Sequence, residues 1–335
     1  MLKTVFGSLT RISNLAEEPF EVLALDKAHW ETGDYVQGEI LPPVSDLYRV
    51  EDQSGAMEPV EPGDLAIGAF GHRAATLEGT GSWMDIDDSK MHALTNAGLF
   101  GRFTSFSQLL PKPISLHYQG HVMRNGDKVQ MQQFALKSDN DRFAVPTILL
   151  VGTSMSAGKT WTGRAACEFL RDKGLDVTGI KLTGAGRYRD ILSFQKCGAS
   201  RIYDFVDVGL PSTVVPEDVY RAAVRPLLQH IDSEHPDFVV CEAGASPLEP
   251  YNGAAAIEEL GDNIACTILC ASDPYAVVGV KQAFGLDADL VAGPATNTSS
   301  ATALVKKLTG LNAINIINPK RIPEFREFLT RQLGL

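Results

Sequence analysis

Along residues 1–144 short apolar stretches alternate with Gly, Pro and Asp turns. Tyr35-Val36-Gln37-Gly38-Glu39-Ile40 runs into Pro42-Pro43, and Leu65-Ala66-Ile67-Gly68-Ala69-Phe70 follows Pro62-Gly63-Asp64, a spacing that predicts strands bounded by turns. A hairpin is expected from His117-Tyr118-Gln119-Gly120-His121-Val122, turning at Arg124-Asn125-Gly126-Asp127 and returning over 128–136, because Asn-Gly readily takes the positive φ of a two-residue turn. One helix is expected around 86–99. The β region is expected to end near Asp141.

After residue 144 the texture becomes strand, glycine turn, amphipathic helix, repeated. Strands are expected at 146–152, 176–181, 237–242, 265–271, 288–292 and 313–317. Helices are expected at 159–172, 190–197, 216–233, 275–284, 299–308 and 323–333. Such alternation implies parallel pairing through right-handed crossovers. The expected fold is therefore α/β: a doubly wound, mostly parallel sheet over 144–335 with a smaller, mainly β domain over 1–143.

Composition narrows the function classes. At 335 residues, 44% hydrophobic and 21% charged, the chain has the balance of an ordinary globular protein of about two domains, which excludes disorder, collagen and coiled coil. No apolar run approaches the ~20 residues of a membrane span, and residues 1–20 lack the layout of a secretory signal, so the expected location is the cytoplasm. The five cysteines form no C-x-x-C pair and read as reduced, mostly core thiols. Residues 1–144 carry 12 Lys+Arg against 20 Asp+Glu, and residues 145–335 carry 18 against 21. Nucleic acid is a disfavoured partner, since that affinity rests on a basic surface. The expected partner is a small-molecule substrate, with room for a homodimer.

The sharpest signal is Gly152-Thr153-Ser154-Met155-Ser156-Ala157-Gly158-Lys159-Thr160, between an expected strand and an expected helix. In a P-loop, backbone N–H groups wrap phosphate oxygens, the lysine (Lys159) contacts the β and γ phosphates and the hydroxyl (Thr160) holds Mg²⁺. The strict G-x-x-x-x-G-K-[ST] template fails by one position, its first Gly falling on Thr153. Trp161 follows the loop directly and is a further candidate to touch the nucleotide, with helix packing as its other use.

This loop resembles that of dethiobiotin synthetase and its relatives, P-loop proteins that include the cobyrinic acid amide synthases and an uncharacterised family containing a D-glutamate N-acetyltransferase. The resemblance runs through most of 147–318. Gly179-Ile180-Lys181 with Thr183-Gly184-Ala185-Gly186 is similar to the synthetase's second strand, which implies that Lys181 reaches the reacting phosphoryl group. Asp190-Ile191-Leu192-Ser193-Phe194-Gln195 and Val239-Val240-Cys241-Glu242-Ala243-Gly244-Ala245 are similar to segments bearing an Mg²⁺-ligating Asp and Glu. The loop between Lys181 and Asp190 is shorter than the family's, Ala243 replaces a Gly, and residues 1–143 have no counterpart in the synthetase.

The residues themselves point the same way. Thr160, Asp190 and Glu242 are oxygen donors suited to Mg²⁺, expected at the carboxyl edge of a parallel sheet where ligands of such sheets collect. Asp190 is equally a good helix N-cap, and Lys181 could be a snorkelling surface lysine. Ser212, Thr213, Tyr251 and Asn252 are weaker candidates for an acceptor pocket. His117 and His121 form H-x-x-x-H without a third zinc ligand, and Cys266 and Cys270 read as packing residues. The expected function is an Mg-ATP-dependent ligase with Lys159, Lys181 and Glu242 catalytic, activating a small carboxylate or carbamate for attack by an amine. Two alternatives stand beside it: an acyltransferase that uses the loop for the phosphates of coenzyme A, and a nucleotide-controlled binding or delivery protein. No Asn-Lys-x-Asp guanine-reading motif occurs.

Overall fold

The computed structural model describes residues 2–43, 48–244 and 246–335. The chain divides into two compact units. The first holds the residues up to Lys137 with Ala185–Arg189 and Phe205–Val219, and the second holds Ser138–Gly184, Asp190–Asp204 and Tyr220–Leu335.

The first unit is built on a ten-stranded mixed sheet. Tyr35–Ile40 and Leu65–Phe70 pair antiparallel, as their alternating patterns predict, while Leu65–Phe70 also takes parallel partners in Thr4–Phe6 and Leu99–Phe106. The core gathers Val36, Ile40, Phe70, Phe100 and Leu116 around Trp30, whose ring lies 4.8 Å from Phe70 and 4.6 Å from Tyr118. Beside them the buried Asp34 carboxylate accepts from His121 (3.0 Å), Lys128 (2.9 Å), Gln130 (2.7 Å) and the Glu31 N–H (2.7 Å). Burial pushes its pKa up, and these donors outweigh burial and hold it below the usual carboxylate value.

Two expectations for this unit fail. The helix around 86–99 is instead the strand Lys90–Thr95, which pairs with Leu99–Phe106 on one side and Ser115–Arg124 on the other. Ladder bonds on both sides outweigh local helix preference there. The hairpin turns as expected, with Asn125 at φ 53 and Gly126 at φ 88, but its return strand is only Asp127–Lys128. Past that point Gln130 spends its side-chain amide on Asp34 and Glu31, and Met131–Phe134 winds into a short 3-10 helix.

In the second unit the elements are β1 (Thr147–Gly152), α1 (Lys159–Asp172), β2 (Val177–Thr183), α2 (Tyr188–Lys196), β3 (Arg201–Asp204), α3 (Glu217–Ser233), β4 (Phe238–Ala243), α4 (Gly253–Leu260), β5 (Ile264–Cys270), α5 (Pro274–Phe284), β6 (Leu290–Ala292), α6 (Ser299–Thr309) and α7 (Ile322–Leu333). The first residues of α2 and α3 cluster with the first unit. The strands form one parallel sheet in the order β3-β2-β4-β1-β5-β6. β1, β2 and β4 are buried at every residue, which explains the apolar runs Ile148–Val151 and Phe238–Cys241. Ile148 and Leu150 pack with Ala166, Phe169 and Leu170 of α1 and with Phe325 and Leu329 of α7.

β3 and α4 are additions to the expected elements. The strand expected at 313–317 is reduced to a lone bridge, Val291 to Ala313, because the Ile316 N–H turns back onto the Ile314 carbonyl at 3.1 Å and ends the ladder.

A pH dependence follows from His92 in the first unit. Its Nδ1 accepts the Phe103 N–H at 3.1 Å, so the neutral ring is the one the fold uses. Burial, and secondarily Arg102, push its pKa below the ordinary 6.5. A base whose folded pKa is depressed favours unfolding once the medium is acid enough to protonate the unfolded chain. Stability is therefore expected to fall as pH drops through 6.5. His92→Gln should lose less between pH 8 and pH 5 in urea titrations; an unchanged loss would show that His92 is not the group responsible.

Candidate phosphate-binding site

The loop between β1 and α1 is shaped by its ends. The Thr153 N–H donates to the Cys270 carbonyl at 3.0 Å, tying the start of the loop to β5. The Thr153 hydroxyl accepts the Ser272 N–H at 3.1 Å, so the residue that departs from the template has a bracing contact that glycine could not make. Gly158, at φ +96, caps α1 in a left-handed turn, and the first N–H groups of α1, which have no acceptor within the helix, give the loop a partial positive charge. Past the end of β6, Gly293 has φ +82, and a Cβ there would stand 2.1 Å from the Ala157 carbonyl oxygen. Only glycine lets β6 exit against the loop.

Lys159 is not an exposed loop lysine. It is 2% exposed, with its ammonium donating to the Ser154 carbonyl at 2.8 Å. Burial holds its pKa below the ordinary lysine value, and Glu242 only partly opposes this. The Thr160 hydroxyl donates to Glu242 Oε2 at 3.0 Å. Glu242 lies in register with Leu150 on β1 and with Lys181 on β2, and Lys181 lies in register with Asp204 on β3. The sheet thus lines up two carboxylates on either side of a lysine.

Lys181 is 5% exposed, which removes the snorkelling alternative. Its Nζ donates to Asp190 Oδ2 at 2.8 Å. Burial lowers its pKa, but Asp190, then Glu242, outweigh burial and hold it above the ordinary value. Just past β4, Gly244 leaves room for the neighbouring strand: a Cβ there would come 2.1 Å from the Thr183 carbonyl oxygen.

The other candidates are scattered. Met155 is half-buried and Ser156 exposed at the loop tip. Trp161 is 47% exposed, its Nε1 donating to the Ile316 carbonyl at 3.4 Å and the Arg164 guanidinium lying 5.0 Å from its ring centre. Ser212 and Thr213 belong to the first unit, where the Ser212 hydroxyl bonds the His72 carbonyl at 2.6 Å. Tyr251 is buried in the second unit, and Asn252 opens α4 at φ 61. Ala245, which ends the Glu242 motif, lies outside the described residues. His121 is fully buried between Asp34 and the Tyr118 hydroxyl (2.6 Å). Cys266 and Cys270 are buried, and the Cys270 thiol, 3.2 Å from the Thr162 hydroxyl, is pushed up to about 11 by burial.

As a magnesium site, Thr160 and Glu242 fit: both are oxygen donors and they already touch. Asp190 is engaged by Lys181. Among the described residues no three or more His, Cys, Asp or Glu side chains are grouped to hold a metal ion, so the remaining ligands would be water and phosphate oxygens, which is how Mg²⁺ is usually held. Sequence reasoning missed Asp204 and Gly293, whose roles depend on strand register and on a close backbone approach.

No family model matches the chain, and no curated protein is similar to it. Solved structures similar to part of it include HypB from Helicobacter pylori in complex with nickel, at 17% identity over 56% of this chain and 87% of that one, TM-score 0.37. Others are chloroplast FtsY from Physcomitrella patens, at 15% over 58% and 67%, TM-score 0.36, and FlhF complexed with GMPPNP and Mg²⁺, at 16% over 58% and 78%, TM-score 0.33. Scores this low do not establish a shared fold.

The Lys181–Asp190 pair makes a stability prediction. A folded pKa above the ordinary 10.5 contributes stability that is fully present below that value and is lost as pH rises through the folded pKa. Asp190→Asn should cost about 3 kcal/mol at neutral pH, the scale of stranding one partner of a buried pair. The gap from the unmodified protein should narrow above pH 10.5 in denaturant titrations. A gap that is constant with pH would assign the loss to packing.

Proposed function

We propose that the second unit is a doubly wound nucleotide domain, with the first a separate, smaller β domain, and that it binds Mg-ATP at the loop 152–160 and transfers the γ-phosphoryl group to a small carboxylate or carbamate. The observation that carries this reading is the second buried lysine. Lys159 with the Thr160–Glu242 contact would suffice for holding a nucleotide, whereas Lys181, one strand beyond Glu242, adds a cation suited to a charge that moves during transfer.

In this reading the loop N–H groups and Lys159 bind the β and γ phosphates, the Lys159 ammonium exchanging the Ser154 carbonyl for phosphate oxygens. Thr160 and Glu242 hold Mg²⁺, which when bound neutralises phosphate charge. Asp190 orients Lys181 toward the transferred group. The carboxylate oxygen forms a bond to the γ phosphorus as the bond to ADP breaks, and an amine then displaces phosphate from the acyl phosphate. The chain contributes position and charge and forms no covalent bond.

One observation favours a second reading. Lys181 is already neutralised by Asp190 at 2.8 Å, as a resting ion pair in a nucleotide-controlled binding protein could be, and such a protein would hydrolyse nucleotide without a small acceptor. Release of ADP and phosphate, measured against a panel of small carboxylates and amines with and without coenzyme A thioesters, separates the two. Acceptor-dependent release supports the ligase. Acceptor-independent release supports the controlled binder, and thioester consumption without ADP points to acyl transfer.

Three variants test the roles. Lys159→Ala should lose Mg-ATP binding by calorimetry, with circular dichroism and the thermal transition reporting whether this buried lysine is also needed for folding; a folded variant of unchanged affinity would overturn the loop assignment. Glu242→Gln should weaken the Mg²⁺ dependence of turnover more than it weakens metal-free nucleotide binding. Lys181→Met should keep ATP binding but lower kcat roughly 100- to 1,000-fold, the scale of losing one contact made mainly in the transition state. A kcat within about twofold would leave Lys181 a structural ion pair.

A further inference from the structure

The first unit contains a cavity of 280 Å³ within its own residues. Four cationic side chains line it, Arg49, Arg73, Lys112 and Arg187, against one carboxylate, Glu78. The excess is unusual for its setting. Residues 1–144 hold only 12 Lys+Arg against 20 Asp+Glu, yet three of those 12 cations meet at this cavity. Neutralising one of the four with Glu78 still leaves three positive charges, a field that concentrates anions.

Arg73 makes the cavity more than a charged patch. It is 8% exposed. One terminal nitrogen donates to the Leu94 carbonyl and the other to Glu78, which locks the guanidinium plane. Its Nε is buried and has no acceptor among the described residues. A buried donor left unmatched costs on the order of 1–3 kcal/mol, a cost the fold bears to keep the Arg73 charge at the cavity wall. Apart from Asn96, the rest of the wall comes from aromatic, aliphatic and proline residues. Phe103 and Phe106 meet edge to face with ring centres 4.9 Å apart, and both line the cavity beside Tyr48, Ile114 and Leu110. Convergent charged groups beside aromatic and aliphatic side chains suit a small amphiphilic ligand, and this volume is near the lower end for a small-molecule site.

We propose that this cavity binds a small organic anion, its carboxylate or phosphate head held by Arg49, Lys112 and Arg187 in the field of Arg73 and its apolar or aromatic body against Phe103 and Phe106. The cavity is lined by residues of the first unit alone, so the test needs no nucleotide. Benzoate, 2-naphthoate and phenyl phosphate are titrated into the full chain by calorimetry, with benzyl alcohol and inorganic phosphate as the body-only and head-only probes. The expected result is saturable binding of the aromatic anions that exceeds both controls, with the stronger of benzoate and phenyl phosphate identifying the head group.

Lys112→Ala/Arg187→Ala, at exposed positions, should weaken that binding about tenfold or more, the scale of losing a hydrogen bond to a charged group. Phe103→Leu should weaken naphthoate more than inorganic phosphate. Equal binding of benzoate and benzyl alcohol, or anion binding unchanged by the double variant, would overturn the proposal.

Discussion

Two ammonium groups are buried near the carboxyl edge of one parallel sheet, and the rest of the second unit is arranged around keeping them there. An uncompensated ion in a protein interior costs several kcal/mol even after relaxation, so each lysine needs its own answer. Lys181 has a full one: Asp190 at 2.8 Å, with Glu242 and Asp204 opposite it on the flanking strands. Lys159 has the Ser154 carbonyl at 2.8 Å and the field of Glu242, and burial still holds its pKa below the ordinary value. Their pKa values are displaced in opposite directions for that reason.

Backbone geometry serves the same end. Gly158 turns the chain so that α1 starts at Lys159, and Gly293 allows the end of β6 to lie against Ala157. The departure from the usual phosphate-loop pattern is absorbed locally, since Thr153 uses its hydroxyl to brace the segment after β5. The first unit meets a similar problem at the buried Asp34, which accepts from four donors, one of them the Lys128 counter-charge. Among the described residues of that unit, Arg73 Nε and Thr95 Oγ1 are buried side-chain atoms left without a hydrogen-bond partner.

Much of the second unit was legible along the chain. The run from Thr147 to Gly152, the glycine turn and the amphipathic stretch from Lys159 each carry their pattern in consecutive residues, so β1, the loop and α1 follow from local order alone. β3 escaped notice because Arg201-Ile202-Tyr203-Asp204 is a short edge strand with little apolar signal, and 313–317 was over-read because an apolar run cannot say whether a neighbouring strand is long enough to pair with it. In the first unit 86–99 was misread for the opposite reason, two flanking strands overriding a local preference. That Phe205–Val219 clusters with the first unit is not written in its residues.

The sequence by itself determined the strand–glycine loop–helix at 147–172, the parallel α/β character of 144–335 and the identity of Lys159, Thr160, Lys181 and Glu242 as the residues worth following, because each is part of a contiguous motif or the end of an apolar run. Only the tertiary structure decided that Thr160 meets Glu242, that Lys181 is paired with Asp190 and aligned with Asp204, and that Arg49, Arg73, Lys112 and Arg187 line one cavity. Those facts depend on strand register and on contacts between residues as far apart as 49 and 187. Local pattern sets which face of an element is buried; it does not set which element comes to lie opposite.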